Sequence, residues 1–292
     1  MYRFSRLWPR MLVLIAGIIG VCAITVPAGR RDEAKGQTLQ RTHLSCQLQS
    51  AGESTVTAIA GPQTLHLADG RFVRLAEIMV PSAEGQSFDP SVKAVAYLKT
   101  AALGRKVEVK FGGAQRDRYG VYIAHVFVAA EAPLWLQEAL IREGYAEALP
   151  QPDNNACARR LMAVEADARD YKRGLWGIAY FKVLQATDPR LLLNLVQTYQ
   201  MVEGKVDHVS ESGSRLTLHF SPEGRYGFAA VVEPAAKRRL MGAESSEKWR
   251  GLLLRVRGWL DRKRGPAISV TTPEQIEFLQ AEGTKPPVRE KN

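Results

Sequence analysis

The chain has 292 residues, of which 46% are hydrophobic and 24% are charged. This balance is typical of a globular protein with one or two domains and excludes a collagen-like chain, a repeat array or a fully disordered protein. With 40 Lys and Arg against 30 Asp and Glu, the formal net charge is +10. Such a charge favours an anionic partner, for example nucleic acid, acidic lipid or acidic polysaccharide, but many soluble proteins are mildly basic without one.

Residues 1–28 are predicted to be a secretory signal peptide. Arg3, Arg6 and Arg10 precede an apolar run over residues 11–26, and the small residues Ala28-Gly29 follow that run. The run is shorter than the roughly 20 apolar residues of a membrane span. We therefore expect a periplasmic or secreted protein. The alternative is that residues 11–26 stay uncleaved and anchor the chain in the inner membrane, which is the only membrane contact we expect.

The cysteines agree with export. Cys22 lies inside the predicted signal, so its removal leaves Cys46 and Cys157 as an even pair in an oxidising compartment. We expect a Cys46–Cys157 disulfide, and the alternative is a pair of buried free thiols.

Residues 29–50 are polar and are predicted to be a linker, and strands begin after it. Asp69-Gly70 is a hairpin turn signal between strands at residues 64–67 and 71–75. Asp89-Pro90 begins a helix that ends at Gly104. Further strands are predicted over residues 106–111 and 119–128, and further helices over residues 134–143 and 156–172. The predicted order is a β-barrel with inserted helices, a mainly β (α+β) fold.

Four segments in this region resemble the staphylococcal nuclease-like, or thermonuclease, family. They are Asp117 to Gly120, Leu136 to Ala146, Glu165-Ala166 and Gly174 to Gly177. Arg74-Leu75 followed by Val80-Pro81 is similar to the end of the family's catalytic strand. The resemblance implies an OB-type five-stranded barrel with three helices over residues 51–180.

The resemblance also implies calcium-dependent phosphodiester hydrolysis, in which carboxylates bind the ion, a Glu acts as the base and two Arg stabilise the phosphate charge. The five family positions fall in this chain on Gln63 (or Pro62), Arg74, Met79, Ser82 and Val121. Only Arg74 retains the family residue, and even this Arg could be merely structural. An amide and a thioether do not replace two carboxylates around a hard cation, and Ser82 is no base at neutral pH without a base of its own.

Glu84 and Glu77 are the candidates for replacing the lost carboxylates, although strand alternation predicts that Glu77 points away from Arg74. We therefore expect no cofactor, and calcium only if the ligands have been relocated. The five histidines show no metal-binding spacing.

Residues 181–200 are predicted to be a connector with a helix that begins at Asp188-Pro189, and residues 283–292 a tail. Residues 201–282 are predicted to form a second, OB-like β-barrel with a short basic helix at residues 234–242. Its five strands are predicted at residues 202–206, 215–220, 228–233, 252–260 and 267–271. Residues 255–260, 265–270 and 273–276 resemble C-terminal OB-like modules of exported thermonuclease-like bacterial proteins.

Basic residues cluster in this second part, close to Tyr226, Trp249 and Trp259. The predicted binding set is Lys237, Arg238, Arg239, Arg255, Arg257, Arg262, Lys263 and Arg264, with Lys248 and Arg250 nearby. Such a surface suits single-stranded nucleic acid, because the charges follow the backbone and the rings stack on bases. The alternative is a solvated basic face, with Trp259 in the core.

Two functions remain open on the sequence alone. The favoured one is a non-catalytic, exported thermonuclease-like protein that acts as a binding or interaction module for single-stranded nucleic acid or another polyanion. The alternative is an enzyme, a divergent calcium-dependent endonuclease. The missing carboxylates favour the first, and the sequence identifies no protein partner.

Overall fold

The structure is a computed structural model that describes residues 46–222, 226–241 and 245–279. The predicted signal peptide, residues 29–45 of the predicted linker and the predicted tail lie outside these residues. Within the described part, no helix has the length and apolar character needed to cross a membrane.

The first domain is a closed five-stranded barrel, as the resemblance implied. Its strands β1, β2, β3, β6 and β5 pair in a ring in which only the β3–β6 pair is parallel. The strands up to residue 148 are β1 Gln49–Gly61, β2 Thr64–Leu67, β3 Phe72–Leu75, β4 Ile78–Met79, β5 Lys106–Phe111, β6 Tyr122–Val128, β7 Leu134–Trp135 and β8 Glu147–Ala148. Strand β1 begins at Gln49, so the last residues of the predicted linker belong to the barrel.

Three helices pack on this barrel: α1 Pro90–Ala102, α2 Leu136–Arg142 and α3 Ala158–Asp170. The predicted start of α1 is confirmed, because the Asp89 side chain accepts a hydrogen bond from the Ser91 N–H at 2.8 Å. Alternation on β3 buries Val73 and Leu75 and directs Arg74 outward. The same alternation therefore fills the barrel and places the retained family residue on its outer side.

The predicted disulfide is confirmed: Cys46 is bonded to Cys157, and their Cα atoms are 4.9 Å apart. It ties the segment before β1 to the first turn of α3, 111 residues away in sequence.

We expect the variant Cys46→Ala/Cys157→Ala to lose about 3 kcal/mol of unfolding free energy, since the bridge restricts the unfolded chain. Urea unfolding of wild type and variant, each with and without reductant, measures this loss. Reductant should destabilise only the wild type, and equal midpoints for both proteins without reductant would contradict the prediction.

The second domain is one curved sheet of eight strands, a half-barrel with the order β11-β12-β13-β15-β14-β10-β9 and with β16 paired to β14. The strands are β9 Leu184–Gln185, β10 Tyr199–Lys205, β11 His208–Ser212, β12 Arg215–His219, β13 Ala229–Val232, β14 Leu253–Arg262, β15 Pro266–Val270 and β16 Ile276–Phe278. The helices are α4 Pro189–Asn194, which begins after the predicted cap Asp188, and α5 Pro234–Met241.

All five strands predicted for this domain are present, and three more, β9, β11 and β16, were not predicted. Strands β9 and β16 are only two and three residues long. Strand β11 is mostly exposed and has Val209 as its single aliphatic residue. It therefore lacks the alternation of apolar and polar residues by which a strand is recognised in a sequence.

The expectation that Trp259 lies in the core was wrong, because its side chain is 57% exposed. Leu254, Val256 and Leu260 of β14 are buried in the core of the sheet, and Trp259 alternates with them onto the other face. Trp249, which precedes β14, is the tryptophan that packs into this core.

Candidate functional site

Arg74, the one retained family residue, is already paired. Its Nη2 atom lies 3.0 Å from Oδ2 of Asp117, in the loop before β6. The other oxygen of Asp117 accepts hydrogen bonds from the N–H groups of Tyr119 at 2.9 Å and Val121 at 3.0 Å. The loop that would present a second Arg at Val121 instead presents a carboxylate that neutralises the first.

The residues onto which the resemblance places three other family positions make structural contacts. Gln63 forms the β1–β2 turn with Pro62, and its Oε1 accepts the Val80 N–H at 2.9 Å. Met79 lies on β4, where it pairs with Glu147 of β8. Ser82 Oγ lies 3.5 Å from Oδ2 of the helix cap Asp89.

Asp89 is no general base in this arrangement. Burial raises the pKa of its carboxyl, but hydrogen bonds from Ser91, the Ala83 backbone and Ser82 together outweigh burial and hold that pKa below its ordinary value. Asp89 is therefore a fixed anion that caps α1.

Glu77 does not replace a lost ligand. Its fully buried carboxylate accepts the Cys157 N–H at 3.1 Å and lies 3.2 Å from Nε2 of His125, away from the outward-facing Arg74. Within the described ranges, Glu77, His125 and Cys157 are the one group of three His, Cys, Asp or Glu donors close enough to share a metal. The Cys157 sulfur is in the disulfide, so this cluster offers no thiolate.

The predicted basic surface does not come together as one patch. Arg257 is fully buried, with Nη2 2.7 Å from Oε2 of Glu165 in the first domain, and it also pairs with Glu277. Arg255 is bound between Glu203 and Glu277. Arg257 therefore belongs to the contact between the domains, and Arg255 is held by two carboxylates of its own domain, so neither guanidinium is free for the predicted surface.

Burial alone would lower the pKa of Arg257, but Glu165 and Glu277 raise it above its ordinary value, so the group is always charged. In the same network, burial opposes ionisation of Glu277, but Arg257 and Arg255 hold the pKa of that carboxyl low. Arg257 is thus the cation of a buried ion network that joins the two domains.

Two further predicted residues pair with acids, Lys237 with Glu211 at 2.6 Å and Arg239 with Glu274 at 3.3 Å. Arg262, Lys263 and Arg264 are exposed at the turn between β14 and β15. The exposed Tyr226 lies beside this turn, since a Cβ added to Gly265 would come within 3.1 Å of its carbonyl carbon. We call Tyr226, Arg262, Lys263 and Arg264 the hairpin surface.

The closed five-stranded barrel and its three helices define the first domain as an OB-type fold. Residues 72–177 match the family model of the staphylococcal nuclease homologues, so this segment belongs to that family. The match starts at β3, although β1 and β2 belong to the same closed sheet. No match was found among curated proteins.

Proposed function

We propose that the protein is a non-catalytic staphylococcal nuclease homologue that acts outside the cytoplasm as a binding module for single-stranded nucleic acid or another polyanion. One observation supports the proposal that the protein is not a catalyst. The positions at Gln63, Met79, Ser82 and Val121 contain no carboxylate and no second Arg, and the remaining Arg74 is neutralised by Asp117. The proposed export rests on the N-terminal sequence.

The hairpin surface supports the proposed ligand class. Three consecutive cations with exposed side chains lie at a turn that approaches the backbone of the exposed Tyr226. Cations and an aromatic residue together are the combination that tracks a phosphate backbone and stacks on a base. The surface is displayed on a tight turn between paired strands, so its charges are held on rigid elements.

The variant Arg262→Ala/Lys263→Ala/Arg264→Ala should bind a 20-nucleotide oligo(dT) about tenfold or more weakly than the wild type at low salt. The loss of three phosphate contacts should also reduce the slope of log affinity against log salt by about 2. Fluorescence anisotropy titrations at several salt concentrations measure both quantities on the whole protein.

The matched control is Lys93→Ala/Lys99→Ala/Arg105→Ala, which removes the same formal charge from exposed positions of the first domain. It should keep most of the affinity. Equal losses of affinity in both variants would refute binding at the hairpin surface. Absence of binding by the wild type at low salt would refute the proposal of a polyanionic ligand. The second domain is not tested alone, because its Arg257 needs Glu165 of the first domain.

A further inference from the structure

A cavity of about 470 Å³ lies between β8, the connector and strands β10 and β14. Five aromatic side chains line it: Trp176, Tyr180, Phe181, Tyr199 and Trp259. Tyr199 and Trp259 meet edge to face, with ring centroids 5.9 Å apart, and Trp259 is 57% exposed. The volume and the apolar lining are those of a small-molecule site.

One carboxyl group in this lining has no partner. Glu147 is only 6% exposed, and its side chain makes no hydrogen bond or ion pair with any residue of the described part of the chain. A buried carboxylate without a partner is costly, so a group in this position calls for a ligand or a proton.

The charges around Glu147 show what is missing. The buried ion network that joins the domains contains three other carboxylates and three Arg. Each of these carboxylates lies within ion-pair distance of an Arg. The carboxylates are Glu165, Glu203 and Glu277, and the cations are Arg169, Arg255 and Arg257. These six charges balance one another, so an ionised Glu147 adds a negative charge that no cation of this buried network pairs with.

The titration of Glu147 agrees with this balance. Burial, followed by the neighbouring Glu165, raises the pKa of the Glu147 carboxyl to about 8, while Arg257 and Arg169 act in the opposite direction. Tyr199, which faces the same cluster, stays neutral because burial raises its pKa. Lys182 lies in the lining with an exposed side chain and makes no ion pair within the described residues.

We propose that this cavity binds a small organic cation, an ammonium with an apolar body, whose charge is held by the carboxylate of Glu147 and the surrounding aromatic rings. Ring faces attract such a cation, and a desolvated site strengthens that attraction. A hard metal ion is a poor fit, because the aromatic lining offers it one carboxylate. The Trp176 Nε1 atom, buried and without an acceptor, adds a donor for a hydroxyl or carbonyl on the ligand.

The site goes beyond the polyanion function proposed above, since its ligand has the opposite charge and its residues do not overlap the hairpin surface.

The test titrates the whole protein with tetramethylammonium, choline and benzyltrimethylammonium, and with 3,3-dimethylbutan-1-ol, the neutral isostere of choline. Calorimetry and tryptophan fluorescence follow binding at pH 6 and pH 8. Quaternary ammonium ions keep their charge, so any pH dependence belongs to the protein. We expect choline to bind at least tenfold more tightly than its isostere, and cation affinity to rise up to about fifty-fold from pH 6 to pH 8 as Glu147 ionises.

Glu147→Gln, which has the shape of the protonated acid, should lose the preference for the cation and the pH dependence while keeping the wild-type circular dichroism and melting temperature at pH 6. The exposed control Glu131→Gln should behave as wild type. The proposal is overturned if none of the three cations binds, if the neutral isostere binds as tightly as choline, or if Glu147→Gln binds choline with unchanged affinity and pH dependence.

Discussion

Purified protein incubated with calcium and denatured DNA or RNA should release no acid-soluble nucleotides above the rate in buffer alone. By the family resemblance the base position falls on Ser82, and loss of a general base costs typically 10²–10⁴-fold in rate. By the same resemblance the cation positions fall on Gln63 and Met79, and the electrostatic stabilisation that a cation and a second Arg provide is often the largest contribution to catalysis. These groups act together in one site, so their losses do not simply add.

Restoring one family residue at a time should produce no measurable nuclease activity, and the structure explains why. Met79→Asp would place a second carboxyl group beside the buried Glu147 in the β4–β8 pair, where ionisation of both groups is unfavourable. Gln63→Asp would shorten the side chain that accepts the Val80 N–H. The variant Gln63→Asp/Met79→Asp/Ser82→Glu/Val121→Arg is therefore the minimum for activity, and Arg74 must also leave Asp117.

A nuclease assay with and without chelator decides between the proposal and the alternative. Wild-type cleavage that depends on calcium and disappears in Glu84→Gln would mean that the ligands have been relocated, and the protein would then be the divergent endonuclease.

Arg257→Ala should lower the free energy of unfolding by about 3–5 kcal/mol, the usual cost of breaking a buried ion pair from one side. The substitution leaves Glu165 with Arg169 at 3.5 Å as its nearest cation. It also removes the Nη1 donor that lies 3.2 Å from the Ala148 carbonyl oxygen. Because this network joins the domains, the variant should unfold in two separate transitions, while the wild type unfolds in one.

Denaturant unfolding followed by circular dichroism and by tryptophan fluorescence measures both effects. The control Arg262→Ala removes an exposed Arg from the same strand and should change stability by no more than about 0.5 kcal/mol. The double variant Arg257→Met/Glu165→Gln should recover part of the loss, because both charges leave together. A cost for Arg257→Ala no larger than that of Arg262→Ala would contradict the prediction.

Local patterns in the sequence were sufficient to predict the architecture of the first domain. Alternation around Val73 and Leu75, the Asp89-Pro90 cap and the even cysteine pair each depend on neighbouring residues or on a simple count, and the structure agrees with them. The loss of the site carboxylates stays a prediction from residue identity, which decides whether a position can bind a hard cation.

The sequence by itself determined which face points inward on a strand such as β3, and only the tertiary structure decided what covers the other face. Arg257 and Arg262 lie on one strand and look equivalent in a charge count, yet the first domain covers Arg257 and leaves Arg262 in solvent. For the same reason the sequence assigned no role to Glu147, and the expectation that Trp259 lies in the core was wrong. Strand alternation is a local property with a period of two residues, whereas contacts between domains join residues about 100 positions apart, such as Glu165 and Arg257.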